Sequence, residues 1–328
     1  MSKANLCRRI VSGFTGVLAT LVCSLAFAQS YPTRPIELVV HTSAGSGTDV
    51  IARAVAEVFT REKLLPQPFV VANRVGGAGM LAYSYFKTKR GDPYSMLTVS
   101  GTLLAMAHRP DTNIGLENYF PLALFAIDPQ TIMVPADSPF ATFKELVDTA
   151  RRQPDTLVAA TTSVQGTGRM VLYLIEKAVP GAKFRFVTFK GGSEAVISVA
   201  GGHTHLTTEN LSEGLGLLEQ KKVRVLGVAS DRRLVHIPDV PTLQELGYPV
   251  QAGTIRGFAF PAGVPKDAAA TMEAALARAH KTPAWKEHAA RNMYQDIYMG
   301  SAEFSQFLAN RLAEARDFYN AIGLGAKP

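Results

Sequence analysis

The chain has 328 residues, 47% of them hydrophobic, and its 34 basic and 27 acidic side chains give a formal net charge of +7 at pH 7. A chain of this length buries a large core and exceeds what one domain usually holds, so we expect two lobes. No block of Lys and Arg is interleaved with aromatic residues, which argues against a nucleic-acid partner.

The first thirty residues have the pattern of a bacterial-type secretory signal peptide. A basic start at Lys3, Arg8 and Arg9 precedes a mostly apolar run, which ends in the small-x-small triplet AFA. Serine, glycine and threonine interrupt the run, whereas a membrane anchor needs about 20 predominantly apolar residues. We predict a signal peptide over residues 1–28, cleaved after Ala28, and export to the periplasm.

Cleavage would change both the cysteine content and the charge of the protein. Cys7 and Cys23 lie inside the predicted signal peptide, so the exported chain would contain no disulfide and no thiol nucleophile. Three basic residues would be lost too, and the remaining 31 basic and 27 acidic residues give a net charge of +4. The whole-chain pI of about 9.4 therefore overstates the basic character of the exported protein. No later run is long enough to span a membrane, so we expect a soluble protein.

Strand and helix patterns alternate in the first part of the exported chain. The apolar run IELVV predicts a strand over 36–40, and apolar residues recur at helical spacing from residue 49 to about 64. The segments PFVVANR and YSMLTVSG predict two more strands. Strands separated by helices favour parallel pairing, with helices on both faces of the sheet.

The alternation restarts after a long apolar stretch, YFPLALFAIDPQTIMVPADSPF, which suits a connection between two lobes. FKELVDTARRQP predicts a helix, TLVAAT, HLTTEN and VRVLGVAS predict strands, and GFAFPAGVP predicts a return to the first lobe. We predict an α/β fold of two Rossmann-like lobes, with a discontinuous lobe 1 over 29–124 and 231–328 and lobe 2 over 125–230. The carboxyl ends of the strands would then face a central ligand cleft.

The loop HTSAGSGTD, between the first strand and the first helix, is suited to hold an anion. Its glycines allow a tight turn, its hydroxyl groups add donors, and the following helix presents unpaired N–H groups and the positive end of its dipole. The alternative is a simple turn in which Thr48 or Asp49 only caps the helix. The predicted ligand-binding residues of this loop are Ser43, Ala44, Gly45, Ser46, Thr48 and Asp49.

The loop TSVQGTG in the second lobe has the same character. It follows the strand TLVAAT and precedes another helix, so a second donor-rich turn opens a second helix. Two neutral donor sets, one per lobe, are suited to grip a carboxylate from opposite sides of the cleft, although each hydroxyl is also able to make only local turn bonds. The predicted ligand-binding residues here are Thr161, Thr162, Ser163, Thr167 and Gly168.

Nucleotide and hydrolase motifs do not fit these loops. The dinucleotide fingerprint needs glycine where Val50 stands, and no glycine-rich loop ends in the Gly-Lys-Ser/Thr of a phosphate loop. A hydrolase nucleophile elbow needs glycine where Ala44 stands.

Two further constellations are weak. His203 and His205 have a spacing able to hold zinc with Glu209, but they stand at the start of a strand and away from its cleft end, which favours surface histidines over a metal site. Asp49 and Glu209 are able to pair as acid and base across the cleft, although a helix cap is favoured for Asp49. We therefore expect no catalytic residue, metal or cofactor.

Five segments form an ordered series along the chain: YPTRPIELVVHTSAGSGTD, VVANRVGGAG, FKGGSEAVISVAGGHTHL, VRVLGVASDRRLVHIPDVPTLQELGYP and GFAFPAGVPKD. In order and spacing they resemble the substrate-binding proteins of the tripartite tricarboxylate transporter system, the Bug family. The resemblance covers the chain from Tyr31 onward, and DVPTLQELGYP and PAGVP are its most specific segments.

The resemblance implies a type II periplasmic binding protein fold, in which a hinge motion encloses the ligand. Family ligands are mostly small organic anions, including di- and tricarboxylates, acidic amino acids and aromatic carboxylates. The family's anion contacts come from the loops that match residues 43–49 and 161–168 here. Gly101, Thr102 and Glu209 match further loops that line the family's cleft.

Two departures from the family's pattern bear on the identity of the ligand. Ile255 and Arg256 stand where the family commonly has an aromatic residue. Arg256 is able to meet a second carboxylate, but we expect it to be solvated because arginine is rarely buried without a partner. His205 replaces an acidic residue that is common in the family.

These features favour a non-enzymatic receptor, acting as a monomer, that captures a small organic carboxylate in the periplasm. Its partners would be the ligand and the membrane subunits of a tripartite tricarboxylate transporter. Two alternatives stay open: a periplasmic enzyme that acts on a carboxylate through Asp49 or Glu209, and a sensor that signals to a membrane kinase.

Overall fold

The computed structural model describes residues 31–109 and 111–324, so the predicted signal peptide lies outside the described residues. The strands are β1 (Ile36–Val40), β2 (Phe69–Asn73), β3 (Ser95–Val99), β4 (Tyr119–Pro129), β5 (Thr131–Pro135), β6 (Val158–Thr161), β7 (Arg185–Thr188), β8 (Leu206–Thr207), β9 (Val223–Val228), β10 (Gly253–Pro261) and β11 (Gln295–Gly300). The helices are α1 (Gly47–Arg61), α2 (Met80–Lys87), α3 (Gly101–His108), α4 (Phe143–Arg152), α5 (Thr167–Ala178), α6 (Gly192–Ala200), α7 (Leu211–Glu219), α8 (Lys266–Lys281), α9 (Pro283–Arg291), α10 (Ser301–Glu314) and α11 (Arg316–Ala321).

The first lobe is built on a six-stranded sheet with the order β11-β4-β10-β3-β1-β2. Strand β1 pairs parallel with β2 and β3, whereas β10 runs antiparallel to β3 and β4. Successive side chains of β1 point to opposite faces of the sheet. Leu38 therefore packs in a cluster with α1, α8 and α9, and Val39 packs in a cluster with α2, α3, α10 and α11. Helices thus cover both faces of the sheet.

The second lobe repeats this layered arrangement around a five-stranded sheet with the order β7-β6-β8-β5-β9. Strand β6 pairs parallel with β7 and β8, and β5 runs antiparallel to β8 and β9. Ile132 packs with α4 and α5, while its neighbour Met133 packs with α6 on the other face. The predicted two-lobed α/β fold is confirmed.

The chain passes between the sheets at two adjacent places. Strands β4 and β5 follow each other with only Gln130 between them, and the chain returns between β9 and β10. The Gln130 N–H donates to the Ala252 carbonyl (3.3 Å), and the Gln130 carbonyl accepts from the Ala229 N–H (2.9 Å). The two crossings are therefore hydrogen-bonded side by side.

The structure differs from the sequence-based expectation in three segments. The predicted boundary after residue 124 cuts through β4, whose residues 126–129 pair with β10 in the first-lobe sheet. The predicted lobe 1 includes residues 231–252, but Leu243 and Val250 lie in the hydrophobic core of the second lobe. The predicted strand HLTTEN is reduced to β8, which has two residues. Beyond β8 the chain turns toward the crossing at Gln130, where the Glu209 carbonyl accepts from the Thr131 N–H (2.9 Å).

In the part of the chain that the structure describes, no helix combines the length and apolar character needed to cross a membrane.

Candidate ligand-binding site

A cleft of about 1070 Å³ lies between the two lobes, where the loops that follow β1, β3, β6 and β8 meet. Carboxyl ends of strands are the usual ligand position in open α/β sheets. Asp49 and Thr161 are the two predicted site residues that do not line it. The predicted residues that do are Ser43, Ala44, Gly45, Ser46, Thr48, Gly101, Thr102, Thr162, Ser163, Thr167, Gly168 and Glu209.

Helix α1 begins at the cleft wall of the first lobe. Gly45 adopts a left-handed backbone (φ +81°), which turns the chain back toward the helix. Ser46 is the N-cap, and its hydroxyl accepts from the Asp49 N–H at 3.4 Å. The N–H groups of Gly47 and Thr48 belong to the first turn and have no acceptor within the helix, so they are available to a ligand in the cleft.

The Asp49 side chain holds this loop in place by hydrogen bonds and does not line the cleft. Its carboxylate accepts from the Gly45 N–H (2.9 Å), Arg53 Nε (2.8 Å) and Asn73 Nδ2 (2.9 Å). Burial acts to raise the pKa of Asp49, but these three hydrogen bonds outweigh it and the pKa is lowered. A carboxylate so fully occupied is a positioning group for the loop and has no free oxygen to serve as an acid or base in the cleft.

Helix α5 begins on the opposite wall, in the second lobe. Its N-cap is Gly166, which has no side chain to cap the helix, so the first N–H groups of α5 remain open to the cleft. Thr161 is fully buried beneath the loop, and the Ser163 hydroxyl accepts a local bond from the Gln165 N–H at 3.3 Å.

The two walls approach each other closely at one point. A Cβ atom placed on Gly101, at the start of α3, would lie 3.3 Å from the Thr167 hydroxyl oxygen. A residue of the first lobe and one of the second lobe are thus near neighbours at this edge of the cleft.

Glu209 is a buried carboxyl group on the second-lobe side of the cleft. It is 5% exposed, and its Oε1 has no hydrogen-bond partner among the described residues. A Cβ on Gly168 would lie 3.2 Å from that Oε1, so the carboxyl sits directly beside the first turn of α5. Burial raises the pKa of Glu209 to about 7, the charge of Glu213 adds to the shift, and hydrogen bonds from Thr162 act against it.

Arg256 also lines the cleft, and the expectation that it is solvated is wrong. It is 4% exposed because Asp128 supplies a buried partner, with 2.5 Å between Nη2 and Oδ2. Burial raises the pKa of Asp128 to about 6, although the charge of Arg256 opposes the shift. A Cβ on Gly47 would lie 2.6 Å from Arg256 Nη2, so the guanidinium backs the start of α1 directly.

The signal for this pair was present in the sequence. Asp128 interrupts the otherwise apolar run YFPLALFAIDP, and an acidic residue inside a buried strand needs a cationic or hydrogen-bonding partner. Arg256 is the matching residue on β10, two positions from the partner of Asp128 in the strand register, Thr254.

The histidine pair lies apart from the cleft. His203 and His205 are exposed, and His205 Nδ1 accepts from the Val158 N–H at 3.1 Å. Across residues 31–109 and 111–324, no group of three His, Cys, Asp or Glu side chains is placed to hold a metal ion.

Comparison with known proteins identifies the architecture. The family model of the tripartite tricarboxylate transporter family receptor (TctC) matches residues 51–324. The chain belongs to this family. Members of the TctC family are periplasmic solute-binding receptors and not enzymes, and this is the function class of the chain.

Individual relatives match this chain over nearly its whole length. The UPF0065 protein in gbd 5'region of Cupriavidus necator is 28% identical over 304 residues, which cover 91% of this chain and 90% of the relative. The structure of a TctC solute binding protein from Polaromonas, without ligand, is 29% identical with a TM-score of 0.75, over 89% of this chain and 100% of the other. Rpa4515 of R. palustris, with adipate, is 23% identical with a TM-score of 0.80, over 90% of this chain and 99% of the other, and shares the fold.

Proposed function

We propose that this TctC receptor captures a small organic carboxylate in the periplasm and delivers it to the membrane subunits of a tripartite tricarboxylate transporter. The ligand class would be a di- or tricarboxylate, an acidic amino acid or an aromatic carboxylate. The observation that carries the proposal is that the starts of two helices, α1 from one lobe and α5 from the other, line a single cleft.

Physical chemistry favours an anion at this place. Open N–H groups and the positive ends of two helix dipoles stabilise negative charge, and the buried Arg256 adds a positive group behind α1. A ligand that touches both lobes binds the closed state more tightly and so shifts the population toward closure. Closure also excludes water, which strengthens the hydrogen bonds to the ligand.

Uptake is favoured over catalysis by the state of the two acidic candidates. The Asp49 carboxylate is turned away from the cleft and is hydrogen-bonded to Gly45 and Arg53. It is therefore not placed to pair with Glu209 as acid and base across the cleft. Uptake and sensing use the same closed lobes. Deletion of the gene, followed by measurement of ligand uptake, distinguishes the two roles, because loss of a pure sensor leaves transport intact.

A thermal-shift screen of the exported chain tests the proposal. The probes are succinate, adipate, citrate, aspartate and benzoate, each compared with an uncharged amide of the same size. We expect the melting temperature to rise with at least one carboxylate and with none of the amides, and the acid to be recovered unchanged. Failure of every carboxylate to stabilise the protein would contradict the ligand class, and conversion of the acid would contradict the receptor role.

A further inference from the structure

The described cleft holds one acidic side chain whose environment points to a specific partner. We propose that Glu209 forms a second subsite, which binds an ammonium group, so that the ligand is a carboxylate that also carries an amine. The proposal rests on the proposed function and names a ligand class within it.

The first observation is the unused hydrogen-bonding capacity of Glu209. The side chain is 95% buried, it lines the cleft, and its Oε1 is without a partner among the described residues. A buried carboxylate that lacks a donor at one oxygen costs free energy, which a ligand donor that reaches the carboxyl group from the cleft would recover. A ligand able to donate is therefore favoured over one that only accepts.

The second observation is the distribution of charge among the buried side chains Asp128, Glu209 and Arg256 beside the cleft. The buried Arg256 is already paired with Asp128, at 2.5 Å. Glu209, by contrast, has no cation within ion-pair distance in the described chain, and it lies near a second carboxylate, Glu213, whose charge raises its pKa. A positive group beside Glu209 would donate the missing hydrogen bond and would offset the repulsion between Glu209 and Glu213.

The third observation is that the cleft is asymmetric. On the first lobe, the start of α1 is backed by the guanidinium of Arg256, and the nearby carboxylate of Asp49 is turned to Arg53. On the second lobe, the start of α5 already has the carboxyl of Glu209 beside it, next to Gly168. The carboxylate of the ligand therefore fits best at α1, and a donor fits best at Glu209.

One competing arrangement uses the same residue in another way. A protonated Glu209 is able to donate a hydrogen bond to a second carboxylate of a simple diacid. The two arrangements have opposite pH dependences, because an ammonium ligand prefers ionised Glu209 and a diacid prefers the protonated form. The charged groups that act on Glu209 are Glu213 of α7 and Asp128 of β4, the latter held by Arg256 of β10.

Matched ligand pairs test the proposal by isothermal titration calorimetry. Glutamate is compared with glutarate, aspartate with succinate, and 4-aminobutyrate with butyrate, on the exported chain and on Glu209→Gln. We expect at least one amine-bearing acid to bind about tenfold or more tightly than its partner without the amine. Glu209→Gln should abolish this preference while leaving the affinity for the acid without the amine within about threefold, and the preference should grow from pH 6 to pH 8.

The control is Glu219→Gln, which removes an exposed carboxylate at the end of α7, outside the residues that line the cleft. It should leave the amine preference unchanged. Equal affinities within every pair, or a diacid affinity that falls with rising pH and is lost in Glu209→Gln, would overturn the subsite while leaving the carboxylate receptor standing. No binding in either series would overturn both.

Discussion

At the scale of single residues, three buried ionisable side chains, Asp128, Glu209 and Arg256, set the charge beside the cleft. Arg256 needs a partner, since a guanidinium in an apolar strand is tolerated only with a counter-charge. Asp128 provides that charge at 2.5 Å, and its other oxygen, Oδ1, is without a partner in the described chain. The pair thus joins β4 to β10 and holds a positive group at the base of α1.

The first prediction concerns the stability of this pair. Asp128→Asn leaves Arg256 as a buried charge with a neutral neighbour, so the free energy of unfolding should fall by about 3 kcal/mol. Urea unfolding followed by circular dichroism measures the change. The double variant Asp128→Leu, Arg256→Met is the matched control, and it should recover most of the lost stability because apolar side chains of similar size need no partner. A single variant as stable as the parent would show that the pair is not needed for folding.

The second prediction concerns pH and Glu209. Its pKa is raised from an ordinary value of 4.5 to about 7, so the folded protein holds this proton more tightly than the unfolded chain does. Glu209 therefore favours folding fully below about pH 4.5, and this contribution is lost as the pH rises through 7. Without ligand, Glu209→Gln should be more stable than the parent at pH 8, by at most about 3 kcal/mol, and equally stable at pH 4.5.

Unfolding curves of both proteins at several pH values check this expectation. Asp128 and Glu213 act on Glu209 and are present in both proteins, so the difference between the two stability curves reports the loss of the Glu209 carboxyl group. A constant difference from pH 4.5 to pH 8 would contradict a shifted pKa. A variant that gains stability while losing ligand preference would be typical of a functional site.

At the scale of elements, the site depends on how two loops are held at the ends of strands. The loop before α1 is fixed by Asp49, which ties Gly45, Arg53 and Asn73 together. At the start of α5 the N-cap Gly166 makes no side-chain capping bond, and the Thr208 hydroxyl donates to the Gly168 carbonyl (2.8 Å). The two helix starts are thus held by different contacts, a carboxylate within the loop on the first wall and a hydroxyl that follows β8 on the second.

The third prediction tests the hydrogen bonds of Asp49. Asp49→Asn keeps the size of the side chain but replaces one accepting oxygen by a donor, which would face Arg53 or Asn73. Because a hydrogen bond to a charged group contributes about 1.5–3 kcal/mol, we expect ligand affinity to fall about tenfold. Titration calorimetry measures this loss. Glu57→Gln, on the exposed face of the same helix, should have no effect, and an equal loss in both variants would point to the helix charge and not to the Asp49 hydrogen bonds.

The strands and loops show which parts of the fold are predictable from the sequence. Strands such as β1 and β3 were predictable because the short, mostly apolar runs IELVV and SMLTV end in glycine-containing turns, and the loops at both helix starts followed from their donors. The burial of Arg256 was missed because its partner Asp128 is 128 residues away in the chain. The packing of Leu243 and Val250 on the second lobe was missed because loop segments carry no periodic signal to show which core they join.

At the scale of the whole molecule, two lobes are joined by two adjacent crossings near Gln130 and Ala229. Few hydrogen bonds need to change when the lobes rotate about such a pair of strands, which suits hinge closure around a ligand. The cleft residues come from loops on either side of this hinge. In the proposed function, ligand contact with both lobes couples binding to closure.

The most direct measurement of that claim is an NMR titration of the exported chain labelled with ¹⁵N glycine. The amides of Gly45 and Gly47 report on the first lobe, and those of Gly166 and Gly168 report on the second. With a stabilising carboxylate, both pairs should shift with one common dissociation constant, while Gly323 near the end of the described chain stays unchanged. Shifts confined to one lobe, or two different constants, would contradict a single ligand held between the starts of α1 and α5.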